Sequence, residues 1–232
     1  MMKKERLIAF IIILLLAISL FFPQFIFAKV IKEFLQYGNE RVAMDIYNPG
    51  YGYYPVVILI HGAAGIDGDR AIRYRGFATD LMNEGFIAIN IHYFESKRSN
   101  WHRTIIETID HVKKIRNANK NKIGLIGYSL GGTIAIKVAS MDNRVKLLAI
   151  NAGYMPSGFS KRQAAALPKT LMISGTADTS IETLNQLSAW FEDLGIPFET
   201  KINPGMGHSV PMNIFNENWQ TIVEFYVRNF KY

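Results

Sequence analysis

The sequence predicts an α/β domain with a mostly parallel, doubly wound sheet and an antiparallel hairpin at the N-terminal edge. Strand and helix patterns alternate along the chain, which is typical of parallel strands joined by crossover helices. Several predicted strands are continuous apolar runs, as expected where helices cover both faces of a sheet. The chain has 232 residues, and 49% of them are hydrophobic. One domain with a large core is therefore expected.

An N-terminal segment, residues 1–28, precedes this domain. It carries three basic side chains within its first six residues and continues with an apolar run at residues 7–22, in which Ser19 is the one polar residue. Pro23 ends the run, and Ala28 provides a small residue at a cleavage position. We predict that the segment is a secretory signal peptide cleaved after Ala28.

An uncleaved signal anchor is the alternative interpretation, because residues 7–27 together approach the length of a membrane-spanning helix. Under either interpretation, the domain of residues 29–232 lies outside the cytoplasmic membrane, either secreted or held in the cell envelope. The membrane is then a partner only through the N-terminal segment, if that segment is retained.

The elements of the domain follow one another in a regular order. Residues 30–35 and 41–47 are expected to form the antiparallel hairpin around a turn at residues 37–40. Further strands are predicted at residues 55–60, 86–91, 122–126, 145–150, 170–174 and 198–202. Helices are predicted at residues 68–84, 101–117, 133–139, 181–194 and 213–230. The longest irregular stretch, residues 152–169, has room for a small cap but not for a lid domain.

The composition excludes several classes of protein. The chain has no cysteine, so disulfide bonds and zinc sites with thiolate ligands are ruled out. Its five histidines form no His-x-x-x-His pair, and no metal or organic cofactor is predicted. Residues 29–232 carry 23 basic and 18 acidic side chains without a dense basic run, so nucleic-acid binding is not predicted.

The most informative motif is Gly-Tyr-Ser-Leu-Gly-Gly at residues 127–132, between a predicted buried strand and a predicted buried helix. A serine flanked by glycines on such a turn, here Ser129, is typical of the nucleophile elbow of α/β-hydrolases. The turn is sharp, and glycine removes side chains that would collide with the strand or the helix. The N-terminus of the following helix also favours negative charge that develops beside Ser129.

A serine nucleophile needs a base and an acid, and α/β-hydrolases carry them in the order serine, acid, histidine. His208 is the only histidine after Ser129, and it lies in a glycine-containing loop before the last helix. It is the predicted base, with a helix-capping role as the alternative. Asp178 follows a predicted strand and is the predicted acid, and N-capping of the next helix is its alternative or additional role.

An oxyanion hole needs two backbone N–H groups close to the nucleophile. Leu130, directly after Ser129, should supply one of them. The other should come from the loop His-Gly-Ala-Ala-Gly at residues 61–65, whose small side chains allow close approach to a substrate oxygen. We assign this second donor to Ala63.

Other polar residues lie close to this loop in the sequence. His61 is predicted to brace the loop rather than to act as a second base. Arg70, Arg73 and Arg75 follow the loop and are expected to be solvated charges of a helix, with contact to an anionic substrate as the alternative.

These motifs together resemble the dienelactone hydrolase family of the α/β-hydrolase superfamily. The resemblance spans residues 54–230 and rests on the motifs at residues 60–65, 85–94, 127–132, 175–178 and 205–208. It implies an α/β-hydrolase fold. Enzymes named for dienelactone carry a cysteine nucleophile, whereas Ser129 resembles the serine branch, so a general carboxylic-ester activity is the expectation.

We therefore predict an exported serine hydrolase that cleaves a small carboxylic ester or lactone through Ser129, His208, Asp178 and an acyl-enzyme. One alternative is a short-peptide serine peptidase of the prolyl-oligopeptidase-like type, which uses the same chemistry but commonly adds a large gating domain. An alternative of another class is a non-catalytic envelope binding protein on the same fold.

Overall fold

The computed structural model describes residues 28–37, 39–65, 68–93 and 101–231. The predicted signal peptide or anchor therefore lies outside the described residues, except for Ala28. Within the ranges just given, no helix is both long and apolar enough to cross a bilayer.

Eight strands of the described chain form one sheet at the centre of the domain. In chain order they are β1 (Lys29–Tyr37), β2 (Glu40–Asn48), β3 (Tyr54–Ile60), β4 (Ile87–Ile91), β5 (Ala118–Tyr128), β6 (Val145–Asn151), β7 (Lys169–Gly175) and β8 (Phe198–Asn203). Their order across the sheet is β1-β2-β4-β3-β5-β6-β7-β8. Strands β3 to β8 run parallel, whereas β1 and β2 pair antiparallel with each other and β2 pairs antiparallel with β4. This arrangement confirms the predicted parallel sheet with an antiparallel N-terminal edge.

Helices cover both faces of the sheet. They are α1 (Asp69–Asn83), α2 (Trp101–His111), α3 (Leu130–Met141), α4 (Lys161–Ala164), α5 (Ile181–Leu194) and α6 (Met212–Phe230). One hydrophobic core contains Ile58 of β3 and Leu187 of α5, and the other contains Leu59 of β3 and Leu81 of α1. Because adjacent residues of a strand point to opposite faces, β3 contributes to both cores. The predicted doubly wound arrangement is confirmed.

The boundary between α2 and β5 differs from the prediction. The helix ends at His111, a 3-10 turn at Val112–Lys114 follows, and β5 begins at Ala118. The side-chain amide of Asn117 donates to Asn48 Oδ1 at 2.8 Å and to the carbonyl oxygen of Gly50 at 2.6 Å. These tertiary hydrogen bonds fix Asn117 against the chain after β2, so the chain leaves the helix earlier than its apolar periodicity indicates.

The parallel strands end at one edge of the sheet, where their following loops meet. Ser129 follows β5, Asp178 lies in the turn after β7, and His208 lies in the loop after β8. The loop after β3, residues 61–65, reaches the same edge. In open α/β sheets this carboxyl-terminal edge is where ligands bind. Between β6 and β7 the only helix is the four-residue α4, so this stretch carries no lid domain.

Candidate active site

Ser129 has a backbone conformation that residues with a side chain rarely adopt. Its φ is 55° and its ψ is −122°, a region that costs of order 1–3 kcal/mol outside glycine. Glycine allows the turn to close, because a Cβ atom on Gly131 would lie 2.0 Å from the carbonyl oxygen of Ile60. A Cβ atom on Gly127 would lie 2.4 Å from the carbonyl oxygen of Gly131. The turn therefore has the tight geometry that the motif predicts.

Hydrogen bonds join the three side chains predicted to act together. Ser129 Oγ lies 2.9 Å from His208 Nε2, and His208 Nδ1 lies 2.9 Å from Asp178 Oδ2. An ionised Asp178 accepts the proton on Nδ1, which leaves Nε2 free to accept the hydroxyl proton of Ser129. The fold thus assembles the serine, histidine and aspartate in the order that proton transfer from the serine requires.

Asp178 is buried yet remains ionised. Its side chain is 1% exposed, and burial raises the pKa of a carboxyl group. The backbone N–H of Ser180, which donates to Asp178 Oδ1 at 3.0 Å, and the contact with His208 outweigh this burial, so the pKa of Asp178 lies below its usual value. Ser180, not Asp178, is the N-cap of α5. Asp178 therefore stabilises the start of α5 through Ser180 and holds His208 with its other oxygen.

Two tyrosines enclose the imidazole of His208. The ring centroids of Tyr128 and Tyr154 lie 5.8 and 5.6 Å from it, at interplanar angles of 27° and 25°. Tyr128 donates its hydroxyl proton to the carbonyl oxygen of His208 at 3.1 Å. Tyr154 donates to Asp178 Oδ1 at 3.4 Å. The contact of Tyr154 with His208 was not predicted, because nothing in residues 152–169 marks which side chain turns toward His208.

Ser129 and His208 open into a pocket of about 380 Å³. Its described walls are the loop after β3, the helix α1 and the start of α6, and they include Gly62, Ala63, Arg70, Arg73, Phe77 and Phe215. Residues 152–169, which have room for a small cap, do not contribute to these walls. Arg70 and Arg73 are exposed, as expected, but they also lie at the pocket, whereas Arg75 does not.

The loop after β3 lies against the nucleophile turn. A Cβ atom on Gly62 would lie 3.3 Å from Ser129 Cβ, and Ala63 lines the pocket beside Ser129. On the other side, Leu130 is the first residue of α3, so its N–H has no acceptor within the helix. Leu130 therefore adjoins Ser129 in the chain, and Ala63 lines the same pocket as Ser129.

His61 braces this loop from the core of the domain. Its ring stacks on Tyr93 with centroids 4.1 Å apart, and its Nδ1 lies 2.9 Å from the carbonyl oxygen of Gly62. The Tyr93 hydroxyl donates to the carbonyl oxygen of His61 at 2.5 Å. His61 is 2% exposed and is held in the core rather than at the pocket. Across the described part of the chain, no cluster of three or more His, Asp or Glu side chains could hold a metal ion.

The sheet order and the serine turn together define an α/β-hydrolase. The sequence pattern of the dienelactone hydrolase family matches residues 88–216 of the chain. This match covers more than half of the 232 residues. The chain belongs to the dienelactone hydrolase family, which confirms the family predicted from its motifs.

Relatives and solved structures are consistent with this family. A protein of Haemophilus influenzae named as a candidate esterase/lipase is 30% identical over an alignment of 141 residues, and the match covers 56% of this chain and 44% of the relative. The chain spans less than half the length of the curated relatives that it matches.

Two solved structures share the fold at low sequence identity. A dienelactone hydrolase-like promiscuous phosphotriesterase from metagenomic libraries gives a TM-score of 0.74 at 14% identity, over 86% of this chain and 98% of that one. An esterase of Pyrobaculum calidifontis gives a TM-score of 0.69 at 16% identity, over 87% of this chain and 84% of that one. These likenesses establish the fold of the domain.

Proposed function

We propose that this protein is an exported serine hydrolase that cleaves small carboxylic esters or lactones. The observation that carries the proposal is the pair of 2.9 Å contacts from Ser129 through His208 to Asp178. This group of side chains opens into a pocket of about 380 Å³, which is the size of pockets that bind small molecules. Export is supported by the basic start and the apolar run of residues 1–28.

Acylation begins when Ser129 Oγ attacks the carbonyl carbon of the ester. His208 Nε2 accepts the hydroxyl proton, and Asp178 stabilises the imidazolium that forms. The N–H groups of Leu130 and Ala63 stabilise the negative oxygen of the tetrahedral intermediate. His208 then donates the proton to the leaving alcohol, and the acyl group remains on Ser129.

Deacylation repeats these steps with water as the nucleophile. His208 Nε2 accepts a proton from a water molecule, whose oxygen attacks the acyl carbonyl carbon. The same two N–H groups stabilise the second tetrahedral intermediate. Its collapse releases the carboxylic acid and returns the proton from His208 to Ser129.

A fluorophosphonate probe tests the role of Ser129. The wild-type protein should be labelled, and Ser129→Ala should abolish labelling and the hydrolysis of p-nitrophenyl esters. Ser209→Ala is the matched control, because Ser209 lines the same pocket beside His208. Unlabelled wild-type protein, or equal labelling of Ser129→Ala, would contradict a catalytic role and favour a binding protein.

A substrate panel tests the bond that is cleaved. The protein should hydrolyse p-nitrophenyl esters of short acids and leave aminoacyl anilides intact. Turnover confined to the anilides would favour the peptidase alternative. Export is tested separately, by locating the protein in fractionated cells and sequencing the N-terminus of the exported form.

A further inference from the structure

The chain enters the domain where the parallel strands begin, whereas Ser129 lies where they end. Lys29, the first residue of β1, pairs with Asn48, the last residue of β2. Because β2 runs antiparallel to β4, this end of the hairpin lies beside the beginnings of the parallel strands. Ser129 follows the end of β5, and the seven residues of the neighbouring strand β3 span roughly 23 Å. The point of chain entrance and Ser129 are therefore separated by the full height of the sheet.

Around the point where the chain enters, the surface combines exposed cations and exposed aromatic rings. We call this surface the basal face, and we define it by Lys29, Tyr51, Tyr53, Lys114 and Arg116. All five line one depression of about 600 Å³. Tyr51 and Tyr53 are 70% and 63% exposed, whereas most large hydrophobic side chains are buried.

The cations of the basal face have no ion-pair partner among the residues that the structure describes. Lys29, Lys114 and Arg116 are exposed, and none forms an ion pair with another described residue. Glu33 is the acidic residue of the same depression, where its Oε2 lies 2.5 Å from His111 Nε2, and the three cations outnumber its single negative charge. The basal face therefore carries a net positive charge that is exposed on the surface of the domain.

The sequence places an apolar segment directly before this face. Residues 7–27 are almost entirely apolar, and a single residue, Ala28, separates them from Lys29. Two peptide units reach at most about 7 Å. A bilayer that holds residues 7–27 therefore lies within a few ångströms of Lys29, which is the depth of the lipid headgroups.

We propose that residues 7–27 are retained as the uncleaved signal anchor, the alternative to cleavage after Ala28, and that the basal face docks on the anionic lipid headgroups of the same membrane. Lys29, Lys114 and Arg116 contact the headgroup phosphates, since juxtamembrane cations bind anionic bilayers. Tyr51 and Tyr53 lie at the level where tyrosine concentrates at membrane interfaces. The pocket at Ser129 then opens away from the membrane. This proposal does not depend on the chemistry proposed for Ser129.

The absence of cysteine makes single-cysteine labelling a direct test on the full chain. Tyr53→Cys places an environment-sensitive fluorophore on the basal face, and Ser157→Cys places it in the exposed loop after β6, at the opposite edge. Both variants are reconstituted in vesicles that contain brominated lipid, with or without phosphatidylglycerol. Quenching is expected at position 53 in anionic vesicles, and not at position 157. Equal quenching at the two positions would overturn the proposal.

The contribution of charge is tested in the Tyr53→Cys background. Lys114→Gln with Arg116→Gln should reduce the quenching to its level in vesicles without phosphatidylglycerol, while residues 7–27 keep the protein in the vesicles. Arg103→Gln with Arg162→Gln removes two exposed cations outside the depression and should leave the quenching unchanged. Quenching that is insensitive to the first pair, or that is equal in neutral vesicles, would overturn the proposal. A mature protein that begins at Lys29 would also overturn it.

Discussion

The hydroxyl oxygen of Tyr154 lies 3.2 Å from Nδ1 of His208, beside the 2.9 Å contact of that nitrogen with Asp178. The same hydroxyl donates to the second oxygen of Asp178 at 3.4 Å. The Tyr154 ring also stacks along the imidazole. Tyr154 therefore restricts the rotation of His208 through both its hydroxyl and its ring, and keeps Nε2 directed at Ser129.

Removing the Tyr154 hydroxyl should slow the reaction without preventing folding. A single hydrogen bond of this kind contributes about 0.5–1.5 kcal/mol, so Tyr154→Phe should lower kcat roughly two- to tenfold with little change in KM. Tyr154→Ala, which also removes the stacked ring, should lower kcat further than Tyr154→Phe does. Tyr53→Phe, at an exposed tyrosine far from Ser129, is the control. A kcat of Tyr154→Phe equal to that of the wild type would show that the hydroxyl does not position His208.

Asp178 should contribute an acid-sensitive part of the stability. Its pKa in the folded protein lies below the usual value, so this contribution is complete above the unfolded pKa and is lost as the pH falls through the folded pKa. Below about pH 4, the free energy of unfolding of the wild type should fall more steeply than that of Asp178→Asn. Urea unfolding at several pH values measures this difference. Asp193→Asn, at a side chain 62% exposed, should follow the wild type, and parallel curves for Asp178→Asn would contradict the prediction.

The backbone conformation of Ser129 should lower the free energy of unfolding by a measurable amount. Gly68, before α1, has φ 53° and ψ −128°, almost the same backbone conformation as Ser129, and there the chain uses glycine. Ser129→Gly should therefore unfold with a free energy about 1–3 kcal/mol higher than Ser129→Ala, although both variants are inactive. At Ser157, whose φ is negative, glycine should be less stable than alanine. The same order at both positions would argue against strain at Ser129.

Arg73 should favour substrates with a negative charge at the far end of the acyl chain. Its side chain lines the pocket and forms no ion pair among the described residues. Arg73→Gln should lower kcat/KM for the p-nitrophenyl monoester of succinate roughly two- to fivefold, as expected for an exposed ion pair, and leave the similarly sized butyrate ester unaffected. Arg75→Gln, on the same helix but outside the pocket, should change neither. Equal losses for both esters would contradict charge recognition.

The sequence predicted what depends on local pattern and on chain order. Continuous apolar runs marked buried strands such as β3 and β4, and the order serine, acid, histidine selected Ser129, Asp178 and His208. Features that arise from tertiary contact were not predictable in this way. The hydrogen bonds of Asn117 end α2 early, and the loop that brings Tyr154 to His208 has no periodicity.

The positions of the charged side chains relative to the pocket could not be predicted from the sequence either. Arg70 and Arg75 are both exposed arginines of α1, but only Arg70 lines the pocket. Similarly, Lys29, Tyr53 and Arg116 are far apart in the chain, and they share one depression because the hairpin places Lys29 beside the start of the parallel strands. Charge count and composition alone do not distinguish these surfaces from ordinary solvated ones.

The distribution of the site over β5, β7 and β8 has a consequence for the folding of the chain. The contact between Ser129 and His208 joins residues 79 positions apart, and the contact between Asp178 and His208 joins residues 30 positions apart. An intermediate folded only as far as β6 has the strained serine turn but neither the base nor the acid. During refolding, hydrolysis would therefore return only once β7 and β8 have docked.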